Sequence, residues 1–118
     1  MLQRPVVSES PAKHLASEAG ELPVHFFAPS ALEARLRSFK AHFPGVVTYA
    51  VKANPADHVI SQLWAGGLDG FAVASPDEIS LIQRLCPGAA MHYNNPVRSR
   101  AEIKFGIEAG VVSWSVDD

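Results

Sequence analysis

The sequence predicts an α/β domain built on a parallel sheet, and three observations support that fold class. Short apolar runs typical of strands alternate along the chain with segments in which apolar residues recur at helical spacing. Most of the predicted helices begin at a capping signal and end at Gly or Pro-Gly. One such helix separates each pair of successive strands, which is the connection that parallel strands require.

The composition fits one small domain of this class. The chain has 118 residues, of which 47% are hydrophobic and 19% are charged, as in an ordinary α/β protein with a modest core. The formal net charge is −2 and no basic block is present, so nucleic acid is not an expected partner. No segment has the hydropathy of a signal peptide or a membrane span, and we expect a cytoplasmic location and no membrane partner.

Residues 1–21 are predicted to form a polar tail with a short helix. The helix spans residues 12–18, and Gly20 would cap its carboxyl end. Residues 22–27 alternate weakly between apolar and polar side chains and predict a short strand. We therefore start the domain at residue 22 and extend it to residue 118.

The first long helix is predicted over residues 31–42. Ser30 and Glu33 have the spacing of a capping box, which would satisfy backbone donors at the helix start. Pro44 and Gly45 would end the helix. The apolar residues that recur at helical spacing are Leu32, Leu36, Phe39 and Phe43.

A strand that carries one lysine follows at residues 46–52. Because side chains alternate on a strand, Lys52 is expected to share a face with Thr48 and Ala50, whose small side chains leave room for a ligand. A lysine on an apolar strand either lies at the water-exposed strand end or serves chemistry. The periodicity leaves both interpretations open.

Three further helix and strand units complete the predicted sheet. Asn54 stands before Pro55 and predicts a helix cap, and two more capping boxes follow at residues 75–78 and 99–102. Four strands are half of an eight-stranded β/α barrel, so the chain is expected to be a fragment of a barrel, a truncated gene product or a small open α/β domain. The predicted strands begin at Val46, Phe71, Ala89 and Val111.

The segment Tyr-Ala-Val-Lys-Ala-Asn-Pro at residues 49–55 resembles the cofactor-lysine motif of a known enzyme family. The family comprises the fold-type III, pyridoxal-phosphate-dependent ornithine, diaminopimelate and arginine decarboxylases, which are built on an alanine-racemase-like TIM barrel. Segments at residues 22–27, 70–79, 93–98 and 110–117 resemble the family in the same order. The resemblance implies an incomplete β/α barrel with about four parallel strands, and pyridoxal 5'-phosphate as the cofactor.

The resemblance also implies roles for four residues. Lys52 would end the first barrel strand and hold the cofactor as a Schiff base, and Ala50 would lie beside the cofactor. Asn54 and Glu78 would lie near it, although helix capping accounts for both without chemistry. An amine forms a Schiff base only when it is deprotonated, which apolar surroundings favour.

One departure from the family concerns a carboxylate near the lysine. The family commonly has aspartate where Ala72 stands, and Asp69 is expected to face the opposite side of its strand. The site is therefore either active without this acid or degenerate.

The remaining candidate side chains have structural interpretations. His92 is predicted to be a core or barrel-lining histidine, and Cys86 a buried thiol at a helix end. The single cysteine permits no intramolecular disulfide, and the scattered histidines predict no metal site. Asp117 and Asp118 are expected to be solvated.

The implied function is decarboxylation of a basic amino acid of the ornithine, lysine or diaminopimelate type. The chain would be an N-terminal fragment that is inactive alone, and a full-length relative would be a homodimer. An amino-acid racemase of the same fold is an alternative, although its lysine motif continues differently. A catalytically dead relative that binds a partner protein is another alternative, motivated by Ala72, and an α/β domain without a ligand is the last.

Overall fold

The computed structural model describes residues 7–17, 20 and 23–117, which contain helices that alternate with short strands. A 3₁₀ turn at Val51–Ala53 follows the first strand directly. The elements in chain order are α1 (Pro11–Ser17), α2 (Pro29–His42), β1 (Thr48–Ala50), α3 (Asp57–Ala65), β2 (Gly70–Val73), α4 (Pro76–Leu85), β3 (Ala90–Tyr93), α5 (Arg100–Glu108) and β4 (Ser113–Trp114).

The four strands form one sheet in the order β1, β2, β3, β4, and every neighbouring pair is parallel. The register places Ala50 opposite Ala72, Ala72 opposite His92, and His92 opposite Ser113. Since α3, α4 and α5 each connect two parallel neighbours, the chain is a series of βα units. The predicted parallel α/β architecture is confirmed.

The hydrophobic core lies between the helices and one face of the sheet, which we call the helix face. Phe71, Val73 and Tyr93 are fully buried on this face. The helices contribute Ile60, Ile79 and Ile82, which are fully buried as well. Burying a side chain of this size stabilises a fold by about 1.5–3 kcal/mol, so this single interface supplies most of the apolar stabilisation. The other core residues are Leu36, Val51, Val59, Leu63, Leu68, Cys86 and Met91.

The opposite side of the sheet, which we call the lining face, carries mostly small side chains. Strand alternation follows from the register, and most of these residues are half-buried or exposed. Gly70, in contrast, is buried. It lies so close to β3 that a Cβ atom at this position would be 2.8 Å from the Ala90 carbonyl oxygen. The lining face comprises Thr48, Ala50, Gly70, Ala72, Ala90, His92 and Ser113.

The predicted helix caps have mixed outcomes. Ser99 and Glu102 form the predicted capping box at the start of α5. Ser75 caps α4 by accepting a hydrogen bond from the Glu78 amide. The predicted box at Ser30 is wrong, because Pro29 starts α2 one residue earlier and Ala28 is its N-cap, without a side-chain hydrogen bond. Proline at this first position has its φ angle already set for a helix.

Two element predictions also need correction. The chain at residues 23–28 forms no strand, so the strand predicted at 22–27 is wrong for residues 23–27, while residue 22 lies outside the described residues. The lysine strand is shorter than predicted, because β1 ends at Ala50 where the 3₁₀ turn begins. The other strands start within two residues of the predicted positions.

The apolar stripe predicted for α2 is only partly buried. Leu36 is buried, whereas Phe39 is 56% exposed and Phe43, just after the helix, is 55% exposed. The first helix spans Pro11–Ser17 with no buried residue, close to the predicted range, of which residue 18 lies outside the described part. Within the described residues, no helix combines the length and apolar character needed to cross a bilayer.

Candidate functional site

The carboxyl ends of the four strands meet at one edge of the sheet, and the candidate site lies there. Lys52 lies in the 3₁₀ turn that follows β1, and Ala74, Asn94 and Ser115 follow β2, β3 and β4 directly. We call this row of four residues the carboxyl edge. In parallel α/β folds, ligands bind at this end of the strands.

Lys52 lies at the middle of the 3₁₀ turn and is exposed. Val51 is fully buried and fixes the turn against the core. The other three lysines make ion pairs with Glu9, Asp69 and Glu108. Lys52 has no hydrogen bond or ion pair to any residue in the described ranges. The described residues do not form the apolar enclosure expected around Lys52, because Lys52 and the next two residues, Ala53 and Asn54, are all exposed.

Ala50 and Ala72 provide open space next to the lysine turn. Both are half-buried lining-face residues and are register partners. Asp69 is fully engaged elsewhere: its Oδ1 lies 2.8 Å from the Lys40 Nζ, and its Oδ2 accepts a hydrogen bond of 2.9 Å from the Val47 amide. The bond from Lys40 has the larger effect, and together the two bonds hold the pKa of the Asp69 carboxyl below its ordinary value. Asp69 therefore cannot replace a carboxylate at position 72.

Asn54 does not cap a helix, and that prediction is wrong. Helix α3 begins at Asp57 with Ala56 as its N-cap. The Asn54 Oδ1 instead accepts a hydrogen bond of 3.1 Å from the Ala56 amide, which closes a turn around Pro55. The Tyr49 hydroxyl donates a long bond of 3.4 Å to the Asn54 carbonyl, and burial raises the pKa of Tyr49. The turn that carries Lys52 is thus held only lightly by side chains.

Glu78 connects the carboxyl end of β2 to the start of α4. Its Oε2 accepts a hydrogen bond of 2.7 Å from the Ala74 amide. Its own amide donates to the Ser75 Oγ at 3.3 Å. This differs from a capping box, in which the carboxylate returns to the amide of the cap residue itself. Glu78 holds Ala74, the residue that follows β2, and is half-buried.

His92 is the titratable side chain on the lining face. Its Nδ1 lies 2.6 Å from the Ser113 Oγ, and its Nε2 is buried against Gly70 without a hydrogen-bond partner in the described part of the chain. This is the lining position that the sequence predicts. Because Gly70 starts β2, the ring extends away from the carboxyl edge, so His92 lies outside the candidate site.

Cys86 and Asp117 also lie outside it. Cys86 is 1% exposed at the end of α4, and burial raises the pKa of its thiol. Asp117 is exposed, and residue 118 lies outside the described residues. Within those residues, no cluster of three His, Cys, Asp or Glu side chains could hold a metal ion.

Sequence reasoning missed Arg98, which lies at the carboxyl edge. Its Nη1 donates to the carbonyls of Asn95 at 2.7 Å and Tyr93 at 3.4 Å, and its Nη2 donates to the Ser115 carbonyl at 2.6 Å. The guanidinium carbon also lies 5.1 Å from the Tyr93 ring centre and 5.2 Å from that of Trp114. The available signal was an aromatic residue at the end of each of two neighbouring strands, Tyr93 and Trp114, with an arginine nearby.

The chain matches a family model whose description is pyridoxal-dependent decarboxylase, pyridoxal binding domain, over residues 30–118. The matched range contains the whole sheet, the lysine turn and the carboxyl edge.

Two curated proteins are similar in sequence. The lysine/ornithine decarboxylase of Selenomonas ruminantium is 33% identical over 116 residues, which are 95% of this chain and 28% of that protein. The ornithine decarboxylase of Mus pahari is 39% identical over 88 residues, which are 73% of this chain and 19% of that protein. The chain therefore spans less than a third of the length of either relative.

Solved structures give the same result for the fold. The crystal structure of lysine decarboxylase from Selenomonas ruminantium superposes with a TM-score of 0.72 at 28% identity, covering 99% of this chain and 32% of that one. A structure of SrLDC in complex with PLP and cadaverine also has a TM-score of 0.72 at 28% identity, covering 99% of this chain and 31% of that one. The predicted incomplete β/α barrel is confirmed.

Proposed function

Because the chain belongs to the pyridoxal-dependent decarboxylase family, within its pyridoxal-binding domain, we propose that Lys52 is the residue that binds pyridoxal phosphate. The observation that carries this proposal is a lysine at the carboxyl edge that has no partner among the described residues, whereas the three other lysines form ion pairs. The similar structure solved in complex with PLP supports the same cofactor.

The residues around Lys52 fit such a group in two respects. The lining face next to the turn carries the methyl groups of Ala50 and Ala72, so a flat aromatic ring would meet no bulky side chain there. The turn itself is exposed and lightly held, so the lysine amine can reach a ligand without breaking an ion pair. In this proposal Ala50 bounds the ring, Asn54 shapes the lysine turn, and Glu78 fixes the neighbouring strand end.

The covalent step belongs to the Lys52 amine. Lys52 would hold pyridoxal phosphate covalently through this amine, which could bond to the cofactor only in its neutral form. When bound, pyridoxal phosphate supplies an electron sink for the pair left on the substrate carbon as carbon dioxide departs. The exposed position of Lys52 keeps it accessible for the step but provides little water exclusion.

For the whole protein we propose decarboxylation of a basic amino acid, of the lysine or ornithine type that names the relatives. The described residues supply the lysine but leave it exposed, so the 118-residue chain alone is proposed to bind the cofactor without turning over substrate. A homodimer and a cytoplasmic location belong to the same proposal.

A second candidate is a relative that binds a partner protein and performs no chemistry. Ala72 favours it, because no carboxylate in the described residues stands on the lining face near Lys52. This candidate predicts no selective reaction of Lys52 with an aldehyde.

Titration with pyridoxal phosphate, followed through the visible absorption of a Schiff base, separates the two candidates. The variants are Lys52→Arg and, as a matched control, Lys104→Arg, which alters another exposed lysine. We expect saturable binding in the unmodified chain and in Lys104→Arg, and loss of the saturable phase in Lys52→Arg. Identical titrations of all three proteins would refute the assignment of Lys52.

A further inference from the structure

Side-chain hydrogen bonds link the chain segments that follow β2, β3 and β4 in one continuous series. The Glu78 carboxylate accepts from the Ala74 amide, and the Ala74 carbonyl accepts a bond of 3.1 Å from the Asn95 Nδ2. The Asn95 carbonyl accepts from Arg98, which also donates to the Ser115 carbonyl. We call this series the edge network.

Arg98 is the residue on which the edge network converges. Its two terminal nitrogens reach three carbonyl oxygens on β3, the following loop and the residue after β4. A planar guanidinium can make such divergent bonds at once, whereas a lysine ammonium is a single point of charge. The Tyr93 and Trp114 rings stack at 5.2 Å, and the guanidinium lies over both.

The charge of Arg98 has no carboxylate partner in the described residues, and its Nε is buried without a hydrogen bond. A half-buried cation held only by carbonyl dipoles and ring faces gains less than one in an ion pair. Its contacts therefore act mainly to fix geometry: they hold the end of β4 to the end of β3.

From these contacts we propose that Arg98 is a positioning residue of the candidate site, acting through Asn95 on Ala74. Ala74 directly follows β2, and the 3₁₀ turn that carries Lys52 contacts β2, so the strand end that Arg98 fixes lies beside the lysine turn. This role in positioning rests on the proposed function of Lys52, whereas the edge network is a property of the fold.

Amide hydrogen exchange resolved by NMR tests the network in the unmodified chain, Arg98→Met and Arg98→Lys. Arg100→Met is the matched control, because Arg100 is exposed and lies two residues further on. In Arg98→Met we expect exchange of the Ala74, Asn94 and Ser115 amides to be about tenfold faster or more, with core amides such as Phe71 and Ile82 unchanged. We expect Arg98→Lys to resemble Arg98→Met, since one ammonium cannot reach all three carbonyls.

Borohydride trapping of pyridoxal phosphate on Lys52 gives the second measurement on the same proteins. We expect several-fold less adduct on Lys52 in Arg98→Met and Arg98→Lys than in Arg100→Met. Equal acceleration of every amide would reduce Arg98 to a residue of general stability and overturn the proposal. So would wild-type behaviour of Arg98→Lys in both measurements, or local exchange changes that leave trapping unaltered.

Failure of the proposed function has a different signature. If the unmodified chain shows no selective adduct on Lys52, the cofactor assignment and the positioning role both fail. The exchange data then still decide whether Arg98 organises the edge network.

Discussion

The two halves of the carboxyl edge are built differently. At β2, β3 and β4, the strand ends are held by Glu78, Asn95 and Arg98 through bonds of 2.6–3.1 Å, with one longer bond to Tyr93. At β1, a 3₁₀ turn carries Lys52, and the side-chain bonds near it are a long one from Tyr49 and a local one within the Asn54 turn. A platform of strand ends fixed by side chains thus lies beside an exposed amine without a partner in the described residues, which suits the covalent binding proposed for Lys52.

The largest effect on this comparison is expected from a substitution in the hydrophobic core, which supports both halves of the carboxyl edge. Phe71 is fully buried at the centre of the helix face, so Phe71→Ala is expected to lower the free energy of unfolding by about 3–5 kcal/mol. Chemical denaturation measures this loss. Phe39→Ala is the control, because Phe39 is 56% exposed. Equal losses in the two variants would mean that the core does not lie where described.

A smaller change affects only the fixed half. Glu78→Ala leaves the half-buried Ala74 amide without its acceptor, and we expect the free energy of unfolding to fall by about 1–3 kcal/mol. Glu78→Gln retains a carbonyl acceptor and is expected to lose less than half as much. If both variants unfolded like the unmodified chain, the Glu78 bond would contribute nothing to the platform.

Asp69 lies just before β2, and its contribution to stability is expected to depend on pH. The pKa of Asp69 is lowered in the folded chain, by the bonds from Lys40 and Val47, so its stabilisation is fully present above the unfolded value of about 4 and is lost as pH falls through the folded value. The difference in free energy of unfolding between the unmodified chain and Asp69→Asn should therefore become smaller as the pH is lowered from 4. Thermal melts across that range test this, with Asp117→Asn as the control. A difference independent of pH would contradict the ion-pair account.

The smallest effect is expected at the lightly held half. Tyr49→Phe removes only the 3.4 Å bond to the Asn54 carbonyl, so stability should change by less than about 0.5 kcal/mol. Amide exchange of residues 53 and 54 would reveal any loosening of the turn. A loss as large as that of Glu78→Ala would remove the distinction between the two halves.

The architecture was predictable because apolar residues recur in the sequence at the spacing typical of strands and of helices. The alternation of β2 and β3 and the Ser99 capping box follow from local residue types. The caps at Ser30 and Asn54 were mispredicted because a proline changed the helix start at each: Pro29 is itself the first residue of α2, and Asn54 closes a turn around Pro55 before α3. Local propensity states which residues can cap a helix, and only the assembled chain decides which one does.

The candidate site was predictable only in part. The position of Lys52 at a strand end is a local pattern, and the family resemblance supplied its meaning. Arg98 was not recognised, because its contacts reach Tyr93 and Ser115, which are brought together by the pairing of β3 with β4. Long-range backbone contacts of this kind have no periodic signature in the sequence.

The most direct test of the central claim is a comparison of all four lysines in one experiment. The unmodified chain is incubated with limiting pyridoxal phosphate, reduced with borohydride, and mapped by peptide mass spectrometry. The free amine beside a fixed platform predicts adduct on Lys52 at about tenfold or more over Lys13, Lys40 and Lys104. Equal labelling of the four lysines would contradict the account, because the position of Lys52 would then confer no advantage over an ordinary surface lysine.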